Sequence, residues 1–114
     1  PLYLHSSAAN ETIEILEANL PLGGLITETF ATHEFEFNSN DLLVMVSDGL
    51  PELPNATGEL LGYSKIQETI EKTATDGSAE DVKNALVSLS TSWSSDESIP
   101  DDITIVAVKR RSRG

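Results

Sequence analysis

Hydrophobic positions recur along the chain with two different periods, and the change of period divides it. Leu2 to His5 is short and β-prone, Ser6 to Asn10 is small and polar, and Thr12-Ile13-Glu14-Ile15-Leu16 alternates at first and is rich in β-branched residues. This reads as two strands joined by a turn; a helix from Glu11 to Asn19 is the competing reading. Pro21-Leu22-Gly23-Gly24-Leu25 is a breaker cluster. From Thr29 to Phe37, the residues Ala31, His33, Phe35 and Phe37 share one side of an extended chain, and Thr32, Glu34 and Glu36 share the other. That is the pattern of a half-buried strand. The polar turn Asn38-Ser39-Asn40-Asp41 feeds into Leu42-Leu43-Val44-Met45-Val46-Ser47, whose five apolar residues show no alternation. Such a run predicts a strand covered on both faces, antiparallel to the segment before it.

Pro51 and Pro54 then forbid an ordinary long helix, and Asn55 to Gly58 is loop. Beyond them the period becomes helical. Ser64 has the sequence of an N-cap, with Gln67 three residues later as its reciprocal partner. A helix from about Lys65 to Ala74 places Ile66, Ile70 and Thr73 on one face, and Asp76-Gly77 ends it. Ser78 is a second N-cap, with Glu80 and Asp81 in the first turn, where the helix dipole favours acids. Val82, Ala85, Leu86, Leu89 and Trp93 follow at helical spacing and read as core. A polar loop, Ser94 to Ser98, and Pro100-Asp101-Asp102 lead into Ile103 to Val108, a final strand of mostly β-branched residues. Strands, two helices and a strand predict an α+β fold: mostly antiparallel β-sheet packed with two α-helices, in one domain over residues 1–114.

Composition narrows the chemistry. The 114 residues carry 7 basic and 19 acidic side chains, a formal net charge of −12. Four of the basic residues, Lys109, Arg110, Arg111 and Arg113, stand at the C-terminal end, so the rest of the chain is strongly acidic. A nucleic-acid surface is disfavoured; an acidic body suits cations or plain solubility. The apolar runs are too short to span a bilayer, so no membrane contact is expected from this segment. Cysteine is absent, which excludes thiolate metal sites and a Cys nucleophile and fits a cytoplasmic setting. The opening Pro1-Leu2-Tyr3-Leu4, with neither a basic start nor an initiator Met, reads as a cut piece of something longer.

One acid, Asp48, follows a rigid apolar strand, and a pair, Asp101-Asp102, precedes another. Gly49 lets the chain turn sharply after the first, although Asp-Gly is also a common turn pair. If the two strands are antiparallel neighbours, the acids meet on one rim. Carboxylates that close repel unless a proton or cation lies between them. A hard, oxygen-loving ion such as Mg²⁺, Mn²⁺ or Ca²⁺ suits such a donor set.

At these residues the sequence resembles the metal-dependent serine/threonine protein phosphatases of the PPM type (protein phosphatase type 2C), in their bacterial SpoIIE-like branch. Leu42 to Leu53 resembles the family's Asp-Gly strand end. Leu20-Pro21-Leu22-Gly23, Gly58-Glu59-Leu60-Leu61-Gly62, Ser78-Ala79-Glu80 and Asp101-Asp102-Ile103-Thr104 resemble further segments in the same order. The resemblance implies an incomplete half of the α-β-β-α phosphatase sandwich, because the family's N-terminal half, with its other Asp-Gly, has no counterpart here. It implies Asp48 and Asp101 as metal ligands, with Asp102 and Gly49 behind them, and two Mn²⁺ or Mg²⁺ ions in the complete domain. It also implies that a water between the ions, and no protein nucleophile, attacks phosphoserine or phosphothreonine. The expected partner is a phosphorylated regulatory protein such as an anti-sigma factor antagonist. Glu52 matches a frequent Glu whose role the resemblance does not supply.

Two or three carboxylates cannot complete two six-coordinate ions, so this chain alone is expected to be inactive. Strand edges left open by a missing half invite self-association. The alternative is an acidic, partner-binding regulatory module with a decayed metal site. His5 and His33 read as sheet-face residues rather than ligands, since no acid or second His has ligand spacing to them. Glu14, Glu17, Glu34 and Glu36 read as a solvated face.

Overall fold

The computed structural model describes residues 1–15, 36–94 and 103–111. Six elements follow in order: β1 (Leu2–Ser6), β2 (Glu11–Ile15), β3 (Leu42–Val46), α1 (Tyr63–Ala74), α2 (Ala79–Trp93) and β4 (Ile105–Lys109). The strands form one sheet in the order β2-β1-β3-β4, antiparallel at every junction. The α+β reading therefore holds, and so does the hairpin at the start, whose turn uses Asn10 at a φ of 51°.

Register divides the sheet into two unlike faces. Tyr3, His5, Thr12, Glu14, Leu42, Val44, Val46, Ile105, Ala107 and Lys109 share one. Its apolar members pack with Ile66, Ile70 and Ala74 of α1 and Val82 and Leu86 of α2 in the core. Leu2, Leu4, Ile13, Ile15, Leu43, Met45, Val106 and Val108 share the other. Met45 is 43% exposed there, and Ile13 53%. β3 is thus covered on the helix side and open at Met45, contrary to the expectation of cover on both faces. The apolar run marks hydrophobic side chains on both faces of the strand, and the helices reach only one.

Three further expectations change. β3 cannot pair with the segment 29–37, because both its edges are taken, by β1 and β4; the strand expected over 29–37 itself lies almost wholly outside the described residues. Ser64 does not cap α1. The helix starts two residues earlier than expected, after Gly62 at a φ of 81°, with no side-chain cap. Gln67 instead donates from Nε2 to the Thr12 carbonyl at 2.7 Å, tying α1 to β2. Glu14 is not solvated. It stands opposite Tyr3 on the helix side, and its Oε1 is buried with no hydrogen-bond partner among the described residues. The alternation in β2 runs Thr12 and Glu14 inward, Ile13 and Ile15 outward, the reverse of a hydrophobic-in reading.

Ser78 does cap α2. Its Oγ accepts from the Asp81 amide at 3.1 Å, and Asp81 Oδ2 accepts from the Ser78 amide at 2.9 Å, a reciprocal capping box. No helix among the described residues is long and apolar enough to cross a membrane.

Candidate functional site

Asp48 follows β3, which lies between two strands and is hydrogen-bonded along both edges. Val44 and Val46 anchor it inward at 0% and 6% exposure. The strand end is held from both sides: the Val46 amide donates to the Pro1 carbonyl at 3.0 Å, and the Ser47 amide to the Thr104 carbonyl at 2.9 Å. A packed, doubly paired strand is a rigid mount for the residue that follows it.

The chain then turns. The Leu50 amide donates to the Ser47 carbonyl, the Glu52 amide to the Asp48 carbonyl and the Leu53 amide to the Leu50 carbonyl, each at 3.2 Å. Leu50 and Leu53 are buried and pin this turn to the core, while Asp48 and Glu52 are exposed on it. The acid is therefore fixed through its backbone and open at its carboxylate. The turn does not use left-handed backbone at Gly49; the glycines with positive φ among the described residues are Gly58 and Gly62. Beyond it, residues 51–62 fold into a small hairpin. The Gly62 amide donates to the Pro51 carbonyl and the Leu61 amide to the Leu53 carbonyl, both at 2.8 Å. The Trp93 indole N–H clips this hairpin to α2, donating to the carbonyls of Leu53 (2.9 Å) and Glu59 (3.2 Å).

β3 and β4 are antiparallel neighbours, as the placing of the acids required, with Val46 opposite Ile105. Asp101 and Asp102 lie outside the described residues, as do His33 and Leu20 to Gly23. Among the described residues no three His, Cys, Asp or Glu side chains stand together as a metal site. Asp48 fits a hard divalent ion in kind, as an exposed oxygen donor on a fixed mount, but a single carboxylate does not fit it in number.

The other titratable groups on the helix side are structural. His5 is 2% exposed, and its Nδ1 lies 2.8 Å from the Thr12 hydroxyl. Burial lowers its pKa, against the opposing influence of Glu71 and Asp41. Asp41 is also buried, and its carboxylate accepts from the Ser7 amide (2.9 Å) and the Asn38 amide (2.8 Å), joining the two polar turns. Burial, with Glu14 nearby, pushes the Tyr3 phenol upward. Sequence reasoning missed the hydrogen bonds of Ser47 and Trp93. The signal for Ser47 was its place between an apolar strand and an acid; for Trp93 it was an indole at the last turn of an amphipathic helix, where its N–H needs a partner.

The family model described as Stage II sporulation protein E (SpoIIE) matches residues 1–111. Among solved structures, the SiaA-PP2C domain of Pseudomonas aeruginosa is similar with a TM-score of 0.73 at 20% sequence identity, over 97% of this chain. At that identity the likeness is one of fold. The chain spans 43% of the length of that domain. No curated protein sequence matches it significantly.

Proposed function

Since the chain belongs to the SpoIIE family of PPM-type phosphatase domains, we propose that it is the C-terminal part of a metal-dependent protein serine/threonine phosphatase. The observation that carries this reading is Asp48, exposed on a fixed turn at the end of β3 beside antiparallel β4. Asp48 and Asp101 would hold Mn²⁺ or Mg²⁺, with Gly49 and Asp102 shaping the turns behind them. The bound ions would supply charge neutralisation at the phosphoryl oxygens and a more acidic water. The chain's own contribution is placement: β3 and the turn anchored by Leu50 and Leu53 hold one carboxylate at the sheet rim. The substrate class is a phosphoserine or phosphothreonine regulatory protein, such as an anti-sigma factor antagonist, met in the cytoplasm. By itself the 114-residue chain would be inactive, since Asp48 and Asp101 alone supply too few oxygen ligands to fix a pair of ions.

The test is phosphate release from a phosphoserine protein across a Mn²⁺ titration. The 114-residue chain is compared with a longer protein that carries it and a complete domain, with and without Asp48→Asn. Loss of Mn²⁺-dependent turnover in the variant, with unchanged circular dichroism, is expected. Equal activity of variant and parent removes the enzyme reading of this site and leaves the acidic partner-binding module. Turnover by the 114-residue chain would mean that its ligands are other than Asp48 and Asp101.

A further inference from the structure

An antiparallel ladder closes a hydrogen-bonded pair when two residues exchange both amide-to-carbonyl bonds. At the end of β3 this exchange is half made. The Ser47 amide donates to the Thr104 carbonyl at 2.9 Å, but the Thr104 amide donates to Ser47 Oγ, also at 2.9 Å. The Ser47 carbonyl is engaged elsewhere, accepting from the Leu50 amide to close the turn that carries Asp48. One residue thus ends the ladder with its hydroxyl and begins the turn with its carbonyl. Alanine at this position would leave two choices. The carbonyl can keep the turn, and the Thr104 amide loses its partner in the sheet. Or the carbonyl can swing back into the ladder, and the Asp48 turn opens.

We propose that Ser47 is a positioning residue, whose hydroxyl sets the place of Asp48 relative to the chain entering β4. This rests on the phosphatase reading above, because Asp101 and Asp102 lie just upstream of Thr104 in sequence. A displacement of about 1 Å in a reacting constellation can cost on the order of 100-fold in rate. A lost hydrogen bond at an exposed position would hardly disturb the fold.

Three measurements test it, on Ser47→Ala and Ser47→Thr. In the 114-residue chain, amide hydrogen exchange by NMR should speed up roughly tenfold at Thr104 in Ser47→Ala, following loss of a bond worth about one decade in opening. Val44, Val46 and Ala107 should stay protected, and Ser47→Thr should restore Thr104. In the longer protein, Ser47→Ala should raise the Mn²⁺ concentration for half-maximal turnover and lower kcat by about 10- to 100-fold, with Ser47→Thr recovering most of both. Direct Mn²⁺ titration by calorimetry should show the same weakening without substrate. Wild-type Mn²⁺ dependence and kcat in Ser47→Ala would overturn the proposal, as would a Ser47→Thr variant that keeps Thr104 protected but stays as impaired as Ser47→Ala. If Asp48→Asn abolishes turnover while Ser47→Ala keeps wild-type kcat and Mn²⁺ dependence, only the positioning role falls. If Asp48→Asn is fully active, the site reading falls and takes this role with it.

Discussion

Leu86→Ala is the sharpest probe of how the helices hold the sheet. Leu86 is 0% exposed, in the middle of α2, and belongs to the core cluster with Val44, Ile66, Ile70 and Val82. Truncation to alanine removes three carbons, about 2.4 kcal/mol of transfer free energy at about 0.8 kcal/mol per methylene. The neighbours are themselves fully buried on α1, α2 and β3, so they can collapse only in part. The residual cavity adds roughly 1–2 kcal/mol, for a total of about 3.5–4.5 kcal/mol. Set against about 5–15 kcal/mol for a native domain, that is a large fraction. With a urea slope of about 1–3 kcal/mol per molar, the midpoint should fall by at least about 1 M. Trp93 is the one tryptophan of the chain and clips α2 to the hairpin, so its fluorescence reports the transition. Val87→Ala on the same helix, at a position 47% exposed, is the control and should shift stability by no more than about 0.5 kcal/mol. A loss under about 1 kcal/mol for Leu86→Ala, or equal losses for the two variants, would refute the account of α2 as a core element.

Two pH and capping predictions stand beside it. His5 has a lowered pKa in the folded chain, chiefly from burial, so the unfolded chain binds its proton more readily. Stability from this group is complete above the ordinary value of 6.5 and declines as pH falls below it toward the folded value. Urea midpoints measured downward from neutral pH should drop in the parent and flatten in His5→Gln; parallel slopes would count against it. Ser78→Ala should cost about 1 kcal/mol through the lost cap of α2. The Ser78 amide and hydroxyl hold the Asp81 carboxyl below its ordinary 3.8, so stability present above 3.8 should be lost as pH falls through the lowered value. That acid limb, followed by circular dichroism, should shrink in Asp81→Asn; an unchanged limb would assign it to other carboxylates.

The helices were legible from their period, and the strands from short apolar or β-branched runs between turn residues. Val82 and Leu86 recur at helical spacing and are fully buried, and Ser78 with Asp81 is a capping signal complete within four residues. What failed was information held elsewhere in the chain. Ser64 and Gln67 have the spelling of a cap, yet the helix starts after Gly62, two residues earlier, and Gln67 is drawn to the Thr12 carbonyl, 55 residues away in sequence. The partner of β3 could not be read from adjacency, since β1 and β4 occupy its edges. Glu14 looked solvated because β2 places its polar residues toward the helices. Asp48 was legible as a candidate from its place after an apolar run. The hydroxyl that completes its mount was not, because Ser47 acts through Thr104, a partner fixed only by the register of β4.

The two faces of β3 explain why an acid at its end can be both fixed and exposed. Inward, Leu42, Val44 and Val46 are buried at 6% exposure or less, so sliding the strand by one residue would put Leu43 and Met45 against the helices and break the packing with Ile66 and Leu86. Sideways, two ladders forbid the same slip. Neither constraint touches the carboxylate, because the turn after Ser47 leaves the core through Asp48 and re-enters it at Leu50. The backbone of Asp48 therefore inherits the stability of the whole sheet, while its side chain meets solvent. Burial of the acid itself would have given the same rigidity only with a partner for its charge, as Asp41 has in the Ser7 and Asn38 amides. Asp41 and Asp48 stand at opposite ends of one strand and differ in how they are held: the Asp41 carboxylate accepts from two backbone amides and joins two turns, whereas the Asp48 backbone carries a turn and its side chain is exposed.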